Sequence, residues 1–299
     1  MAGRFIARRG PADLALVLGV LRRGQGDPTF RMTPDGAVWR ASLTPEGPGT
    51  LRVADDGAEA WGPGADWLLE QLPALLGDLD DHAEFVPRHR LLADVHRRHP
   101  DLRLCRTGLV LESLIPSILE QKVTVNEAYR AWRLLVRTFG TPAPGPAPEH
   151  MHVMPDPRTW SLIPSWEWHR AGVDNKRAST VLRAVRVARR LEEAAAMPLA
   201  EAARRLELIP GIGPWTSAET LQRSIGAPDA VTVGDLHLPG IVGYALTGRR
   251  GVDDAGMLEL LEPYAESGQR HRAVRFILLT GRVPGRRVPK MPRVDIARL

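Results

Sequence analysis

A short turn rich in glycine and proline restricts the fold of this chain more than any other segment. The residues at 210–213, Pro-Gly-Ile-Gly, must reverse the chain tightly, because glycine allows backbone angles that other residues avoid. Pro214 follows at a place where the first turn of a helix tolerates a missing N–H. We therefore predict a helix that ends near Leu208, a tight turn, and a second helix over 215–224, within a helix-turn-helix unit at about 199–224.

The turn has the chemistry of an anion site. Gly211 and Gly213 let the backbone approach another surface closely, while Ile212 between them can fill the core and leave the flanking amides outward. Amides in a turn before a helix N-terminus suit a phosphate, and such contacts hold DNA by its backbone without reading its sequence. The alternative is a plain connection between helices whose glycines serve only chain reversal. The spacing alone leaves both interpretations open.

Hydrophobic patterning divides the chain into two parts. Residues 1–105 combine short alternating segments and short apolar helices, which predicts an α+β N-terminal domain with a small antiparallel sheet. Residues 106–299 show helical spacing almost throughout and predict a mainly α-helical core. A proline-rich stretch at 141–158 is expected to form an irregular loop within this core. Further helices are predicted at 125–138, 178–196, 199–208, 254–261 and 269–280.

Composition excludes several classes of site. Cys105 is the single cysteine, so the chain cannot form an intrachain disulfide or hold a four-cysteine zinc site or iron–sulfur cluster. No apolar run approaches the roughly 18 residues of a membrane span, and a cytoplasmic protein without a required cofactor is expected. Charge is uneven, because residues 55–101 carry 11 acidic and 4 basic side chains, whereas residues 270–299 carry 9 basic and 1 acidic. This polarity hints at a basic face.

Several segments together resemble one family. Residues 206–216 look like the helix-hairpin-helix element of the DNA glycosylase superfamily, which bears a glycine- and proline-rich loop followed by a catalytic aspartate. Asp235 stands twenty residues after Trp215, in a Val-Gly-Asp-Leu-His-Leu sequence similar to the family's D-x-H-hydrophobic pattern. Residues 118–124 are similar to a helix-to-loop segment of the AlkA-type DNA-3-methyladenine glycosylases, and the first hundred residues match the small α+β domain of that branch. The resemblance covers most of the chain.

The resemblance implies that Asp235 is the catalytic residue. When a base is removed, the C1′–N bond breaks and the sugar develops oxocarbenium character, which a nearby carboxylate can stabilise while it orients the attacking water. One carboxylate suffices when the leaving base is already cationic, as an N3- or N7-alkylated purine is. The alternative is that Asp235 merely caps the helix that begins at Leu236.

The residue at position 215 bears on the type of reaction. Family members that also cut the DNA strand carry a lysine there to form a Schiff base, whereas this chain has Trp215. The resemblance therefore implies a monofunctional enzyme that leaves an abasic site, with the indole in the base pocket stacked on a flipped, electron-poor base. An ordinary core aromatic at the foot of the hairpin is the alternative. Glu219, one helical turn later, departs from the family pattern, which can carry a pocket aromatic there.

The resemblance also implies a DNA-binding role for residues around the hairpin. Gln121 and Lys122 match the loop that fills the gap left by a flipped base. Lys122 either fills the gap with its stem, pairs with phosphate, or is a solvated surface lysine. The amides of Gly211 and Gly213 and the hydroxyl of Thr216 would face phosphate. A structural monovalent cation would be held by the backbone carbonyls of Glu207, Ile209 and Ile212.

These observations predict a monofunctional DNA glycosylase of base-excision repair that flips alkylated purines of the 3-methyladenine type out of duplex DNA and hydrolyses their N-glycosidic bond. Double-stranded DNA containing damaged bases is the expected partner, and the protein is expected to be a monomer. A glycosylase for another damaged base, uracil or hypoxanthine, and a catalytically silent helix-hairpin-helix DNA-binding protein are the alternatives. A basic C-terminal tail would either grip the DNA backbone or be merely solvated, and its cationic residues include Arg282, Arg286, Arg287, Lys290 and Arg293.

Overall fold

The computed structural model describes residues 4–6 and 13–285. The first strands of the chain are β1 (Arg4–Ile6), β2 (Phe30–Met32), β3 (Val38–Thr44), β4 (Gly47–Ala54) and β5 (Gly57–Trp61). Within the described residues they form one antiparallel sheet of five strands in the order β1-β5-β4-β3-β2. Short connections join β3 to β4 and β4 to β5, because neighbouring strands that run antiparallel can be linked by tight turns.

Short helices cover one face of this sheet. They are α1 (Leu14–Leu18), α2 (Ala65–Glu70) and α3 (Leu72–Leu75). Leu51 and Val53, two residues apart on β4, lie on the sheet face that these helices cover and share a buried cluster with Leu18 and Leu68. Each buried side chain of this size contributes about 1.5–3 kcal/mol of hydrophobic stabilisation relative to an exposed one. The predicted α+β character of the N-terminal part is confirmed.

The rest of the described chain is mainly helical, as predicted. Its helices are α4 (Arg90–Arg98), α5 (Val110–Leu119), α6 (Val125–Phe139), α7 (Pro157–Leu162), α8 (Ser165–Arg170), α9 (Asn175–Arg186), α10 (Ala188–Glu192), α11 (Leu199–Glu207), α12 (Pro214–Ser224), α13 (Leu238–Thr247), α14 (Asp254–Leu261) and α15 (Arg270–Leu279). Helix α5 is central, because it packs against α6, α9, α10 and α12 and is buried on almost every side. None of the helices in the described ranges is long and apolar enough to span a membrane.

Helix α4 packs away from the sheet, although it lies close to it in sequence. Leu92 and Val95 of α4 share a buried cluster with Phe276 and Ile277 of α15. Nearby, the buried guanidinium of Arg272 pairs with the Asp80 carboxylate. The segment before residue 105 is therefore joined to the C-terminal helices by its own core, and the predicted boundary at 105/106 stays a prediction.

Three local predictions differ from the structure. The single helix expected over 178–196 breaks at Val187, and its last turn is a 3₁₀ helix (Glu193–Ala196). Beyond the break, the Glu192 carboxylate accepts hydrogen bonds from the first amides of α5, Val110 N at 2.7 Å and Leu111 N at 2.9 Å.

The second and third differences concern α13 and the proline-rich stretch. A helix at α13 was considered only as one capped by Asp235 and beginning at Leu236, whereas it begins at Leu238. It ends at Gly248, whose φ of 74° suits a glycine C-cap. The proline-rich stretch contains a two-residue ladder between β6 (Thr141–Pro142) and β7 (His152–Val153). Prolines keep that ladder short, because each proline lacks the backbone N–H that would donate a hydrogen bond to the neighbouring strand.

Candidate active site

The hairpin between α11 and α12 depends on two glycines that serve different purposes. Gly211 has a φ of 103°, and a Cβ there would lie 2.2 Å from Thr180 Oγ1, so both the backbone and the packing require glycine. Gly213 is extended (φ −116°, ψ −176°), and a Cβ there would meet no atom within 4 Å. Ile212 between them is buried, as predicted. The absence of a side chain at position 213 therefore leaves the outer surface of the turn bare, where another surface can approach.

Gln121 joins the end of α5 to the hairpin. Its Nε2 donates to the Gly211 carbonyl at 2.9 Å and to Thr216 Oγ1 at 2.8 Å. Thr216 is buried, so its hydroxyl is engaged by Gln121 inside the protein, and its predicted contact with phosphate stays a prediction. Lys122 is exposed with a φ of 55°, in the left-handed region that costs a residue with a side chain about 1–2 kcal/mol. The anchored Gln121 thus presents Lys122 outward at the surface.

Asp235 and Trp215 are in direct contact. Asp235 Oδ2 accepts a hydrogen bond from the indole Nε1 of Trp215 at 3.1 Å. Asp235 Oδ1 accepts from the backbone amides of His237 at 2.7 Å and Leu238 at 2.8 Å, at the start of α13. Oδ1 of Asp235 therefore accepts from amides at the start of a helix and Oδ2 meets the predicted pocket residue. The helix begins at Leu238 and not at Leu236, so Asp235 precedes the N-cap residue His237. Both side chains are half-buried, so the pair is open to a ligand.

The electrostatics of Asp235 favour its charged form. Burial by itself raises the pKa of the carboxyl, but the hydrogen bond from Trp215 and those from the amides of His237 and Leu238 lower it. The net result is a pKa below the ordinary value, because donors directed at a carboxylate stabilise the ionised form. Asp235 is therefore a carboxylate at neutral pH.

The loop that carries Asp235 is held by a second aspartate that was predicted only to begin a helix. The Gly234 amide donates to both oxygens of Asp254, each at 3.1 Å, and Gly234 has a φ of 85°. Asp253 beside it caps α14 through the amide of Gly256 at 2.9 Å. Two adjacent acids thus have separate tasks, and nothing in the sequence distinguishes them.

A polar network continues along α12 beyond Trp215. Glu219 Oε2 accepts from Arg223 at 2.8 Å and Oε1 accepts from the Thr232 hydroxyl at 2.9 Å. Gln222 Nε2 donates to Thr232 Oγ1 at 2.8 Å and to the Ala230 carbonyl at 2.7 Å. The network connects α12 to the segment at 230–232, which leads to Asp235. Sequence reasoning singled out Glu219 alone in this group, because the hydrogen-bond partners come from two separate segments.

The predicted cation ligands are backbone carbonyls at the end of α11 and in the hairpin turn. The Ile209 carbonyl accepts the amide of Ile212 at 2.9 Å, which leaves that oxygen one lone pair for a further ligand. The neighbouring Pro210 carbonyl accepts from the Arg183 guanidinium at 3.1 Å. The Glu207 side chain is used elsewhere, where it accepts from Ser217 at 2.6 Å. Among the described residues no cluster of three or more His, Cys, Asp or Glu side chains could hold a metal ion.

Other predicted features lie outside the site. Cys105 is buried, and burial raises the pKa of its thiol, which disfavours the reactive thiolate. Arg282 belongs to the described part of the chain, whereas the remaining cationic residues of the basic C-terminal tail lie outside the described residues: Arg286, Arg287, Lys290 and Arg293.

Solved structures with the same arrangement of elements include three that match over most of the chain. A 3-methyladenine DNA glycosylase from Archaeoglobus fulgidus matches with a TM-score of 0.73 at 16% identity, over 94% of this chain and 98% of that one. MBOgg1 in complex with a low-affinity DNA ligand matches with a TM-score of 0.69 at 16% identity, over 94% and 100% respectively. The 8-oxoguanine glycosylase/lyase of Clostridium acetobutylicum, in complex with double-stranded DNA containing cytosine opposite 8-oxoguanine, matches with a TM-score of 0.67 at 12% identity, over 90% and 91%.

No protein-family model matches the chain, and no curated protein matches its sequence. The TM-scores of 0.67–0.73 establish a shared fold, and identities of 12–16% limit the conclusion to the fold. The chain shares its fold with these three proteins, and what it does has to be argued from its own residues.

Proposed function

We propose that this protein is a monofunctional DNA glycosylase that hydrolyses the N-glycosidic bond of alkylated purines in duplex DNA. One observation carries the proposal, namely the ionised Asp235 carboxylate hydrogen-bonded to the Trp215 indole at the foot of the hairpin. The shared fold with proteins named as DNA glycosylases supports the same activity. That the protein acts as a cytoplasmic monomer stays a prediction.

The hairpin and Gln121 prepare the site for the DNA backbone. The amides of Gly211 and Gly213 flank the buried Ile212, and the bare surface at Gly213 lets a phosphate come close to the start of α12. Partial positive charge at a helix N-terminus favours an anion. Lys122 stands on the adjoining loop as an exposed cation beside the gap that a flipped base would leave. This arrangement holds DNA without reading its sequence.

Trp215 and Asp235 act on the flipped nucleotide. The hydrogen bond to Asp235 fixes the indole, whose face stacks on the base, and a cationic alkylated purine gains most from that contact. As the C1′–N bond breaks, the bonding electron pair leaves with the base, which departs neutral because it was cationic. The Asp235 carboxylate stabilises the oxocarbenium sugar and orients a water. The water oxygen bonds to C1′ and its proton passes to Asp235 or to solvent, leaving an abasic site.

The tryptophan at position 215 is the reason for a monofunctional reaction. A β-lyase needs an amine that attacks C1′ and forms a Schiff base, and an indole Nε1–H cannot do so. The expected result of borohydride treatment during turnover is that no enzyme–DNA adduct is trapped. A trapped adduct would contradict the monofunctional assignment and make Lys122 the candidate for the attacking amine.

A structural monovalent cation at the hairpin is part of the proposal. The backbone carbonyls of Glu207, Ile209 and Ile212 are the groups that would hold it, and the free lone pair on the Ile209 carbonyl fits such a ligand. A bound cation would supply positive charge at the turn whose amides are proposed to contact phosphate.

The decisive test is release of free base from a panel of duplexes. The panel contains methylated DNA, uracil, hypoxanthine and 8-oxoguanine, and released bases are quantified by chromatography. We expect release of methylated purines and none of the other three. Release of uracil or hypoxanthine alone would replace the proposed substrate, and binding of duplex DNA without any release would identify a silent DNA-binding protein.

A further inference from the structure

Glu219 stands one helical turn after Trp215, on the same face of α12. Residues four apart on a helix are neighbours, with about 5–6 Å between their Cβ atoms. The Glu219 side chain is 16% exposed, so its carboxylate reaches the surface without being free in solvent. A ligand stacked on Trp215 therefore has this carboxylate beside it.

The position of the sugar determines which edge of the base faces Glu219. Asp235 acts at C1′, and the Watson–Crick edge of a purine lies on the side of the base opposite its glycosidic nitrogen. A base attached to C1′ near Asp235 and stacked on Trp215 thus directs that edge away from Asp235. Helix α12 likewise continues away from the Trp215–Asp235 contact, with Glu219 and, a turn further, Arg223.

Two hydrogen bonds fix the position of the Glu219 carboxylate, and a third orients one of its partners. The Arg223 guanidinium donates to Oε2 at 2.8 Å, and the Thr232 hydroxyl donates to Oε1 at 2.9 Å. Gln222 orients Thr232 by donating to its oxygen at 2.8 Å. Arg223 is itself held by the Val20 carbonyl at 3.1 Å. Glu219 is therefore a preorganised acceptor, and each of its oxygens retains a lone pair, since a carboxylate offers about four acceptor sites.

A fixed carboxylate discriminates between purines by their donors. Guanine carries two adjacent donors on its Watson–Crick edge, N1–H and the exocyclic N2 amine, which suit a carboxylate in a paired, bidentate contact. Adenine carries a single donor, the N6 amine, beside the acceptor N1, and an acceptor that faces a carboxylate is repelled. The Arg223 guanidinium beside Glu219 further suits the O6 acceptor of guanine.

We propose that Glu219 reads the Watson–Crick edge of the flipped base and makes guanine-derived lesions, with 7-methylguanine as the example, the preferred alkylated substrates over adenine-derived ones such as 3-methyladenine. This assignment rests on the proposed function. It goes beyond that function, because Trp215 and Asp235 alone accept either cationic purine.

One assay on methylated duplex DNA tests the preference, because the same sample contains both lesions. Wild type is expected to release 7-methylguanine faster than 3-methyladenine. Glu219→Gln should lower 7-methylguanine release about 10- to 100-fold, the loss of one bidentate contact, and leave 3-methyladenine release nearly unchanged. An equal fall for both bases, or none for either, overturns the assignment of Glu219.

The chain offers a matched control in Glu167. That carboxylate is also 16% exposed and is also paired with an arginine on its own helix, Arg170 at 2.5 Å in α8. Glu167→Gln should leave the ratio of the two released bases at the wild-type value. A change in that ratio for Glu167→Gln would show that loss of any ion pair alters selectivity, which contradicts a specific role of Glu219. If Glu219→Gln melts below the assay temperature, Glu219→Asp keeps the charge, withdraws the carboxylate by one methylene and should show the same selective loss.

A binding measurement separates this inference from the proposed function. Asp235→Asn and the double variant Asp235→Asn/Glu219→Gln are titrated with duplexes that contain one 7-methylguanine. Weaker binding by the double variant supports the contact with Glu219 even if wild type releases no base, in which case only the proposed function fails. Equal affinities overturn the contact whether or not base release occurs.

Discussion

Two turns meet at the candidate site, and they differ in what stabilises them: mainly side-chain packing in one and hydrogen bonds to carboxylates in the other. The hairpin turn (210–213) is fixed largely by packing, because Ile212 is buried and Gly211 lies close to Thr180, with hydrogen bonds from Gln121 and Arg183 to its carbonyls. The aspartate loop (232–237) is fixed by hydrogen bonds to carboxylates, through Asp254 and through Asp235 itself. At Gly234 a Cβ would meet no atom within 4 Å, so that loop has open space at its positive-φ glycine, whereas the hairpin turn has none at Gly211.

The difference reflects the task of each turn. A turn that presents amides to phosphate has to keep its shape whatever binds, and close packing resists deformation. A loop that presents a carboxylate to a reacting sugar has to place charge, which oriented hydrogen bonds do directly. Substitutions in the hairpin turn should therefore affect stability first, whereas those in the aspartate loop should affect turnover first.

The largest effect is expected for Asp235→Asn. The amide oxygen can still cap α13, but its NH₂ group cannot accept from Trp215, and the negative charge at the sugar is lost. We expect base release to fall by about 10²–10³-fold, as for removal of one electrostatic stabiliser. Single-turnover release measures this, with circular dichroism as the check of the fold. Release within threefold of wild type would refute a catalytic role.

The two turns are compared directly by the pair Gly211→Ala and Gly234→Ala. Both glycines have positive φ, so both variants carry a backbone penalty of about 1–2 kcal/mol. Only the methyl at position 211 also collides with Thr180. We expect Gly211→Ala to lower the free energy of unfolding by about 3 kcal/mol or more and Gly234→Ala by about 1 kcal/mol. Urea denaturation gives both values, and equal losses would contradict the difference in packing.

A smaller effect on turnover is expected when the tether of the aspartate loop is removed. Asp254→Ala leaves the Gly234 amide without its acceptor, so the loop places Asp235 less accurately. We expect kcat to fall about tenfold with KM nearly unchanged, since misplacement of a catalytic group costs rate rather than binding.

Asp253→Ala is the control for this tether, because it removes only the cap of α14 at Gly256. It should cost about 0.5–2 kcal/mol of stability and leave kcat near the wild-type value. If the two variants lower kcat equally, the effect comes from α14 and not from the tether.

The smallest effect concerns acid stability. The pKa of Asp235 is lowered by folding, so its charged form contributes stability at neutral pH, and that contribution is lost as the pH falls below the ordinary value of about 3.9. The Tm difference between wild type and Asp235→Asn should therefore narrow between about pH 5 and pH 3. A constant difference over that range would show that the Asp235 charge is not linked to folding.

Much of the fold could be predicted because its signals are local. Helix α12 was predicted from Trp215, one residue after its observed start, since Pro214 marks a helix N-terminus in any context. Helix α14 was predicted with its observed bounds, because Asp253 is a strong cap before an apolar run. The break at Val187 gives no such signal, and it follows instead from where α10 has to meet α5.

The candidate site was predictable only where residues lie at a family spacing. Trp215 and Asp235 were found that way, and the structure brings the two side chains into contact. The Asp254 tether and the bonds of Arg223 to Val20 and of Thr232 to Glu219 were missed. These contacts join segments that are distant in sequence, so no periodicity or capping rule points to them.

The packing of α4 on α15 has a consequence for the order in which the chain can fold. Leu92 and Phe276 belong to the same buried cluster, yet nearly the whole helical core lies between them in sequence. During synthesis α4 emerges long before α13, α14 and α15, whose residues share this cluster, so its apolar face cannot be fully covered until the ribosome has released α15. Completion of this cluster is therefore a late folding step, and until then the nascent chain exposes the apolar face of α4 to other molecules.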